Sequence, residues 1–350
     1  MKAAVLTGVQ QIRIQEKIIP AVGPGEGLVK IELAGICGTD VHAYKDGMLF
    51  RPGTVMGHEP VGTVIEVGEG VTGFRRGDRV AIFSVASCGQ CDACKAGLEY
   101  YCANAFEWTM GHSPKFDGAF AEYVKIPFAD DMLIRIPDHL SFNDAAIAEP
   151  VGTGLRAIRL SKFKLGDTVA VLGAGPIGLM LIQLLKISGA HQIICSEVSP
   201  YRSEIAKEVG ADVVLNPIEY GSSLADRIAS LTGGLGPDIV FECSGASAAF
   251  KQAFQIVRPA GQIITVGVIM QETPITPIDI ILREINIQGS LGCTKHEMEM
   301  AIDLLAAGRF NTDTIISDVI PLVDIEEKGF KRLLESPEVI KILVAPQQAD

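Results

Sequence analysis

From Thr168 to about residue 290 the sequence alternates short apolar runs with amphipathic ones. "TVAVLGA" reads as a strand, "IGLMLIQLLKISGA" has helical spacing, "QIICSEV" is a second strand, and "SPYRSEIAKEVGA" is a helix with Ser199 as N-cap. "DVVLNP", "SLADRIASLTGG", "PDIVFECSG", "AAFKQAFQIVRPAG" and "QIITVGV" continue the rhythm. Strands alternating with helices of this length predict a parallel sheet with right-handed crossovers.

Residues 1 to about 150 have a different texture. "EGLVKIELAGIC", "PVGTVIEVGEGV" and "DRVAIFSV" are short β-type runs bounded by Gly or Pro. At 350 residues the chain exceeds what one core usually supports, so two domains are expected. The fold class is α/β: a doubly wound parallel sheet beside a mainly β domain. The boundaries fall near 1–150 and 151–292, with a C-terminal segment, 293–350, of two further helix–strand pairs. Ser141 and Asp144 form a capping-box pattern before "AAIAE", and Pro150 is expected to stop or kink that helix.

The net charge is −12, from 30 basic and 42 acidic residues, and no basic run offsets it. That argues against nucleic acid and anionic membranes as partners. "MKAAVLTG" reads as a first strand, being too short for a signal sequence, and the longest apolar stretch is broken by Gln183 and Lys186. A cytoplasmic protein is expected, in which clustered cysteines point to metal rather than disulfides.

"VLGAGPIG" holds Gly173, Gly175 and Gly178 in G-x-G-x-x-G spacing, with Pro176 and Ile177 between the last two. It follows a strand and opens a helix, the context in which the first glycine turns the chain, the second admits a pyrophosphate and the third lets helix and strand pack. The helix N-terminus offers free N–H groups to the phosphates. Glu197, nineteen residues after Gly178, ends the next strand and is placed to accept hydrogen bonds from ribose hydroxyls. It would also repel a 2′-phosphate, by up to about 4 kcal/mol at ~4 Å and an effective dielectric of ~20. NAD is therefore favoured over NADP. Arg202 is the counter-signal, since a nearby arginine is how such sites accept the extra phosphate, although it equally fits a solvated helix face.

Cys88, Cys91, Cys94 and Cys102 are spaced C-x2-C-x2-C-x7-C. Four thiolates fit one tetrahedral zinc and leave no open position, so this metal holds a loop rather than reacts. A redox C-x-x-C pair would leave two cysteines unexplained. A working zinc needs three protein ligands and an open position. "GICGTDVH" offers Cys37, Thr39 and His42, "MGHEPVG" offers His58 and Glu59, and "IAEPVG" offers Glu149. Cys37, His58 and one carboxylate satisfy the count. Singly, His58 also fits a satisfied core histidine, Cys37 a small buried hydrophobe, Glu149 a helix-end carboxylate and His42 a surface histidine.

The run Cys37-Gly38-Thr39-Asp40-Val41-His42, the pattern Gly57-His58-Glu59-x2-Gly62-x5-Gly68, the four-cysteine stretch and the glycine fingerprint follow one another along the chain. The chain resembles the zinc-dependent medium-chain dehydrogenases/reductases over essentially its whole length. Within them it is most similar to the polyol, 2,3-butanediol and threonine dehydrogenase branch. "CGTDVHAYKDG", "AEPVGTGLRAIRLSKFKLGDTVAVLGAGPIG" and "GSLGCT" suggest the butanediol side, although Cys293 stands where that branch leads one to expect a larger residue. Simple alcohol dehydrogenases use a second cysteine on the catalytic zinc. Here no cysteine lies between Cys102 and Cys195, and Cys195, Cys243 and Cys293 belong to the sheet domain. The third ligand must be something else: the resemblance implies Glu59, Glu149 or water, and all three stay open. A carboxylate is a harder donor than a thiolate, so a harder divalent metal becomes less improbable beside zinc.

The resemblance implies a GroES-like catalytic domain, a Rossmann domain, and a C-terminal segment returning to the catalytic domain. It implies two zinc ions per subunit, one catalytic and one structural, and NAD. Hydride would pass between the cofactor and a secondary alcohol or ketone, most fittingly a vicinal diol or polyol. Thr39 would take the alcohol proton, and His42, whose ordinary pKa of about 6.5 suits a shuttle, would carry it to water. The cleft is expected between the domains, with "FEWTMGHSPKFDGAFAEY" lining it and Trp108 either a wall or packing. The last strand of the sheet, in "INIQGSLG", implies a homodimer or homotetramer. L-Threonine 3-dehydrogenase is the same-class alternative. A non-catalytic NAD-binding protein is the distant one, and it predicts loss of Cys37, His58 or both glutamates, all of which are present.

Overall fold

The computed structural model describes residues 1–47, 50–105 and 107–347. The chain divides into two compact units. The first comprises residues 1–149, 298–308 and 316–350, and the second 150–297 and 309–315.

The first unit is mainly β. Its strands are β1 (Lys2–Gly8), β2 (Gln11–Glu16), β3 (Gly27–Gly35), β4 (Thr54–Val55), β5 (Glu59–Val67), β6 (Arg79–Ile82), β7 (Tyr123–Ile126) and β8 (Leu133–Arg135). β1 pairs with β2 and β4 in a small sheet. β3 pairs antiparallel with β5 and β7, and β5 runs on to β6 and β8. Alternate inward residues, among them Val29, Ile31, Val64, Val80 and Ile82, build one apolar core with Met110, Phe120 and Phe330.

The second unit holds six parallel strands: β9 (Thr168–Leu172), β10 (Gln192–Ser196), β11 (Val213–Leu215), β12 (Ile239–Glu242), β13 (Gln262–Thr265) and β14 (Asn286–Gly289). Their order is β11-β10-β9-β12-β13-β14, with the reversal between β9 and β12. That is the doubly wound arrangement whose switch point binds ligands at the carboxyl ends of the strands. The central strands are buried along all but the first residue of β9, as a sheet covered by helices on both faces requires.

The C-terminal segment contributes β15 (Ile316–Pro321) and β16 (Lys341–Ala345) to the first unit. β16 lies between β15 and β3. Two paired registers meet at one place. Gly35 of β3 faces Glu59 of β5 on one side and Leu343 of β16 on the other.

One local expectation needs correcting. Ser141 does cap the short helix Phe142–Ala145 by accepting the N–H of Asp144 at 3.1 Å. Pro150, however, neither stops nor kinks a helix. It sits in the first turn of a new helix, Ala148–Leu160, where a missing N–H costs nothing.

Candidate active site

β3 ends at Gly35 and the chain turns through Ile36 into Cys37, which caps the helix Gly38–Asp46. β5 begins at Glu59 immediately after His58. The β3–β5 register therefore brings three residues from two segments together. One donor atom each from Cys37, His58 and Glu59 lies within 4.8 Å of the others. His58 and Glu59 are buried and Cys37 is half-buried. Glu149 is not in this group. It is half-buried in the first turn of the helix Ala148–Leu160 and is the last residue of the first unit.

Asp40 and Lys341 complete the cluster. Asp40 is fully buried. It accepts the N–H of Cys37 at 3.0 Å and of Gly57 at 3.4 Å, and one of its oxygens lies 3.4 Å from His58 Nδ1. The 3.4 Å contact is of the carboxylate–histidine type used to orient a ligand ring, although it lacks hydrogen-bond geometry here. Burial opposes charge on the His58 ring, but Asp40 and Cys37 outweigh it and raise its pKa well above the ordinary histidine value. Burial likewise opposes charge on Asp40, and His58 and the Cys37 N–H hold that carboxyl below its usual range.

Lys341 is buried to 1% exposure. It forms an ion pair with Glu59 and donates to the Ile36 carbonyl at 3.0 Å. Burial disfavours its charge, and Glu59 first, then Cys37, outweigh that and raise its pKa; Glu149 adds a weaker pull. A Cβ at Gly35 would overlap the Glu59 carboxylate and crowd the Lys341 side chain, so only glycine admits the pair there. Neither Asp40 nor Lys341 was singled out from sequence. Asp40 had a local signal, an acid three residues after the cap position. Lys341 had none.

A second imidazole stands close by. The His112 ring is 5.8 Å, edge-on, from that of His58 and 4.8 Å from that of Phe50. Burial, then the neighbouring His58, lowers its pKa to about 4.

Thr39 and His42 lie one turn apart on the helix Gly38–Asp46. Thr39 Oγ1 is 3.4 Å from Cys37 Sγ, and the half-exposed His42 has Nδ1 4.0 Å from Asp46.

The four lobe cysteines converge, with one sulfur each within 4.8 Å of the rest. The Cys91–Cys94 and Cys88–Cys94 sulfurs are 3.4 and 3.8 Å apart. Four Zn–S bonds of about 2.3 Å in a tetrahedron require S···S near 3.8 Å. All four are free thiols, and the N–H of Cys91 donates to Cys88 Sγ at 3.4 Å. Hydrogen bonds to Cys94, led by its backbone N–H, pull the Cys91 thiol down to about 6. Both donor sets fit zinc. The lobe offers four thiolates, and the Cys37 group offers thiolate, imidazole and carboxylate with no fourth protein donor among the described residues.

In the second unit the fingerprint turn lies between β9 and the helix Pro176–Ile187, with Gly175 at the cap and Pro176 and Ile177 opening the helix. A Cβ at Gly178 would overlap the Gly173 carbonyl, whereas the space beside Gly175 is open for a phosphate. Glu197, buried at the end of β10, accepts the N–H of Ala174 at 2.6 Å and of Ser199 at 2.8 Å. It thus ties the fingerprint turn to the neighbouring strand. Arg202 is half-buried on the helix Pro200–Glu208, which Ser199 caps.

Trp108 packs on the first unit's core, 6.0 Å from the Phe128 ring, and Cys293 is fully buried. Phe106, expected in the same lining stretch, lies outside the described residues.

Residues 23–138 match the alcohol dehydrogenase GroES-like domain family and residues 176–307 the zinc-binding dehydrogenase family. The chain is 35% identical to (R,R)-butanediol dehydrogenase of Bacillus subtilis, over 99% of this chain and 100% of that one. It is 35% identical to L-threonine 3-dehydrogenase of Pyrococcus furiosus, over 92% and 90%. A crystal structure described as a zinc-binding dehydrogenase from Sinorhizobium meliloti, bound to NADP, superposes with a TM-score of 0.91 at 33% identity and 99% coverage of both chains. With its GroES-like and Rossmann domains, its converging zinc donors and these relatives, the chain belongs to the zinc-dependent medium-chain alcohol and polyol dehydrogenase family.

Proposed function

We propose that this enzyme oxidises a secondary carbinol of a vicinal diol or polyol, with NAD as hydride acceptor, and catalyses the reverse reduction of the ketone. The observation that carries the reading is the meeting of Cys37, His58 and Glu59 within 4.8 Å, with no fourth protein donor among the described residues.

Cys37, His58 and Glu59 would hold the catalytic zinc, and Cys88, Cys91, Cys94 and Cys102 the structural one. When bound, the catalytic zinc acidifies the alcohol hydroxyl and the nicotinamide accepts hydride. The chain's own residues do the rest. Asp40 orients the His58 ring. Lys341 offsets the Glu59 charge. Thr39 accepts the alcohol proton, and His42, one turn further along the same helix face, passes it to solvent. Gly173, Gly175, Pro176, Ile177 and Gly178 receive the pyrophosphate. The test is NADH formation with purified protein, NAD and a panel of 2,3-butanediol stereoisomers, sorbitol, xylitol and L-threonine. Turnover of one diol or polyol supports the reading. Turnover of threonine alone would move it to the threonine 3-dehydrogenase class.

The buried carboxylate of Glu197 supports NAD rather than NADP. Glu197→Gln keeps an acceptor for Ala174, gives up the one for Ser199, and removes the charge. The ratio of kcat/KM for NAD to that for NADP should fall about 10-fold or more, since each 1.36 kcal/mol of relieved repulsion is a factor of ten. An unchanged ratio would assign cofactor choice elsewhere.

A homodimer through β14 is part of the same reading. All four β14 residues are exposed, and Leu291 beyond it is 54% exposed. Ile281 and Leu282 on the helix Pro277–Arg283 are 68% and 75% exposed. An apolar edge of this kind needs cover, and a second copy paired across a two-fold supplies it. The pair Ile287→Lys with Leu291→Lys should shift the mass measured by light scattering to that of a monomer. No helix among the described residues is long and apolar enough to cross a membrane. Cysteines used as metal donors fit a cytoplasmic location.

A further inference from the structure

His112 is absorbed neither by the zinc donors nor by the Thr39–His42 pair, yet it is held against them. Gly111, just before it, donates its N–H to the Phe116 carbonyl at 3.0 Å, and Met110 donates to Ser84 at 2.8 Å. Three further bonds join this stretch to the strand that delivers His58: Gly118 N–H to Val55, Ala119 N–H to Gly57, and Phe120 N–H to Met56, at 2.7, 2.9 and 3.0 Å. Met110 and Ser113 on either side are fully buried. The main chain on both sides of His112 is thus held, and its ring lies edge-on 5.8 Å from that of His58 and 4.8 Å from that of Phe50.

Cys37, His58 and Glu59 would hold the metal that binds the reacting oxygen, and an oxygen on the adjacent carbon would lie near the second imidazole packed against the His58 ring. A simple alcohol presents nothing polar at that second place, but a vicinal diol or hydroxyketone does. An imidazole carries at least one ring N–H in either protonation form, and a hydroxyl or carbonyl oxygen can accept from it.

We infer that His112 is the specificity-determining residue for the second oxygen of the substrate, the one on the carbon next to the reacting carbinol. This rests on the diol or polyol reading proposed above. His112 donates a hydrogen bond to that oxygen while Phe50 backs the ring. The site thereby prefers vicinal diols and hydroxyketones over mono-alcohols and simple ketones.

The test compares 2,3-butanediol with 2-butanol, and acetoin with 2-butanone, in wild type, His112→Phe and His112→Gln. His112→Phe keeps a ring against Phe50 and loses the donor. Its kcat/KM for the diol should fall about 10- to 100-fold, the span of one lost hydrogen bond in a closed site. For 2-butanol it should change less than about threefold. Acetoin binding to the enzyme–NADH complex, read by NADH fluorescence, should weaken by the same factor, and 2-butanone binding should not. His112→Gln, which restores a donor, should regain part of the diol preference. Bound zinc should stay at the wild-type value in both variants. Equal losses for diol and mono-alcohol, or loss of zinc, would overturn the role of His112 and leave the diol reading standing. A wild type with no preference for the diol would overturn the diol reading and this assignment with it.

Discussion

Cys37→Ser should abolish turnover while leaving the fold intact, and Cys94→Ser should do the reverse. Cys37 belongs to the open group with His58 and Glu59, and Cys94 to the closed group of four thiols. Removing a thiolate from the open group weakens the hold on the ion that stabilises developing charge. Losing several kcal/mol of that stabilisation corresponds to about 10³-fold or more in kcat/KM. Bound zinc should drop by one per chain, and the far-ultraviolet circular dichroism and thermal midpoint should stay near wild type. In Cys94→Ser the lobe keeps only three thiolates to organise residues 88–102. Losing even about 3 kcal/mol of metal-linked folding energy lowers the midpoint of a unit of this size by about 6–12 °C. Turnover per folded molecule should survive at low temperature. If Cys94→Ser were as stable as wild type but inactive, the division into a working and a holding metal would be wrong.

Lys341→Met should be among the most destabilising single changes in the first unit. The Lys341 ammonium and the Glu59 carboxylate are each about 2% exposed by side chain. In the zinc-free protein, removing the cation leaves a buried carboxylate without its counter-charge, which typically costs about 3–5 kcal/mol; a bound zinc would offset part of that loss. The pair itself is worth much less than that, because both charges were desolvated to form it. Lys341→Met combined with Glu59→Leu should therefore recover most of the loss, to within about 1–2 kcal/mol of wild type, while remaining catalytically dead. Denaturant midpoints of the two single variants and the double variant decide this. Additive losses in the double variant would mean the two side chains do not act as a pair.

Features that repeat at short range were legible in the amino-acid order. The helix and strand rhythm after Thr168 matches six parallel strands, because periods of two and of about 3.6 residues are written locally. The fingerprint turn and the four cysteines are each confined to a few consecutive residues, so spacing alone gave their chemistry. Cys37, His58 and Glu59 were visible as donors for the same reason. The misjudged Pro150 was a boundary matter. The sequence carries a proline signal but does not say whether a helix ends before it or begins around it.

The choice between Glu59 and Glu149 was not legible, and neither was the existence of Lys341 as a partner. Both depend on which strands lie side by side and in what register. Glu59 meets Cys37 because β5 pairs with β3 so that Glu59 faces Gly35. Lys341 arrives because β16, contributed by the far end of the chain, pairs with β3 on its other side. His112 reaches His58 only because a loop is stitched by backbone bonds to the strand before β5. Pairing between distant strands leaves no local periodic mark, since it is chosen by the burial of whole faces and the closure of the sheet. The order of residues thus determined the fold class, the cofactor turn and the metal chemistry. The packed sheet decided which carboxylate gathers with Cys37 and His58, which buried cation pairs with it and which second imidazole packs beside the His58 ring.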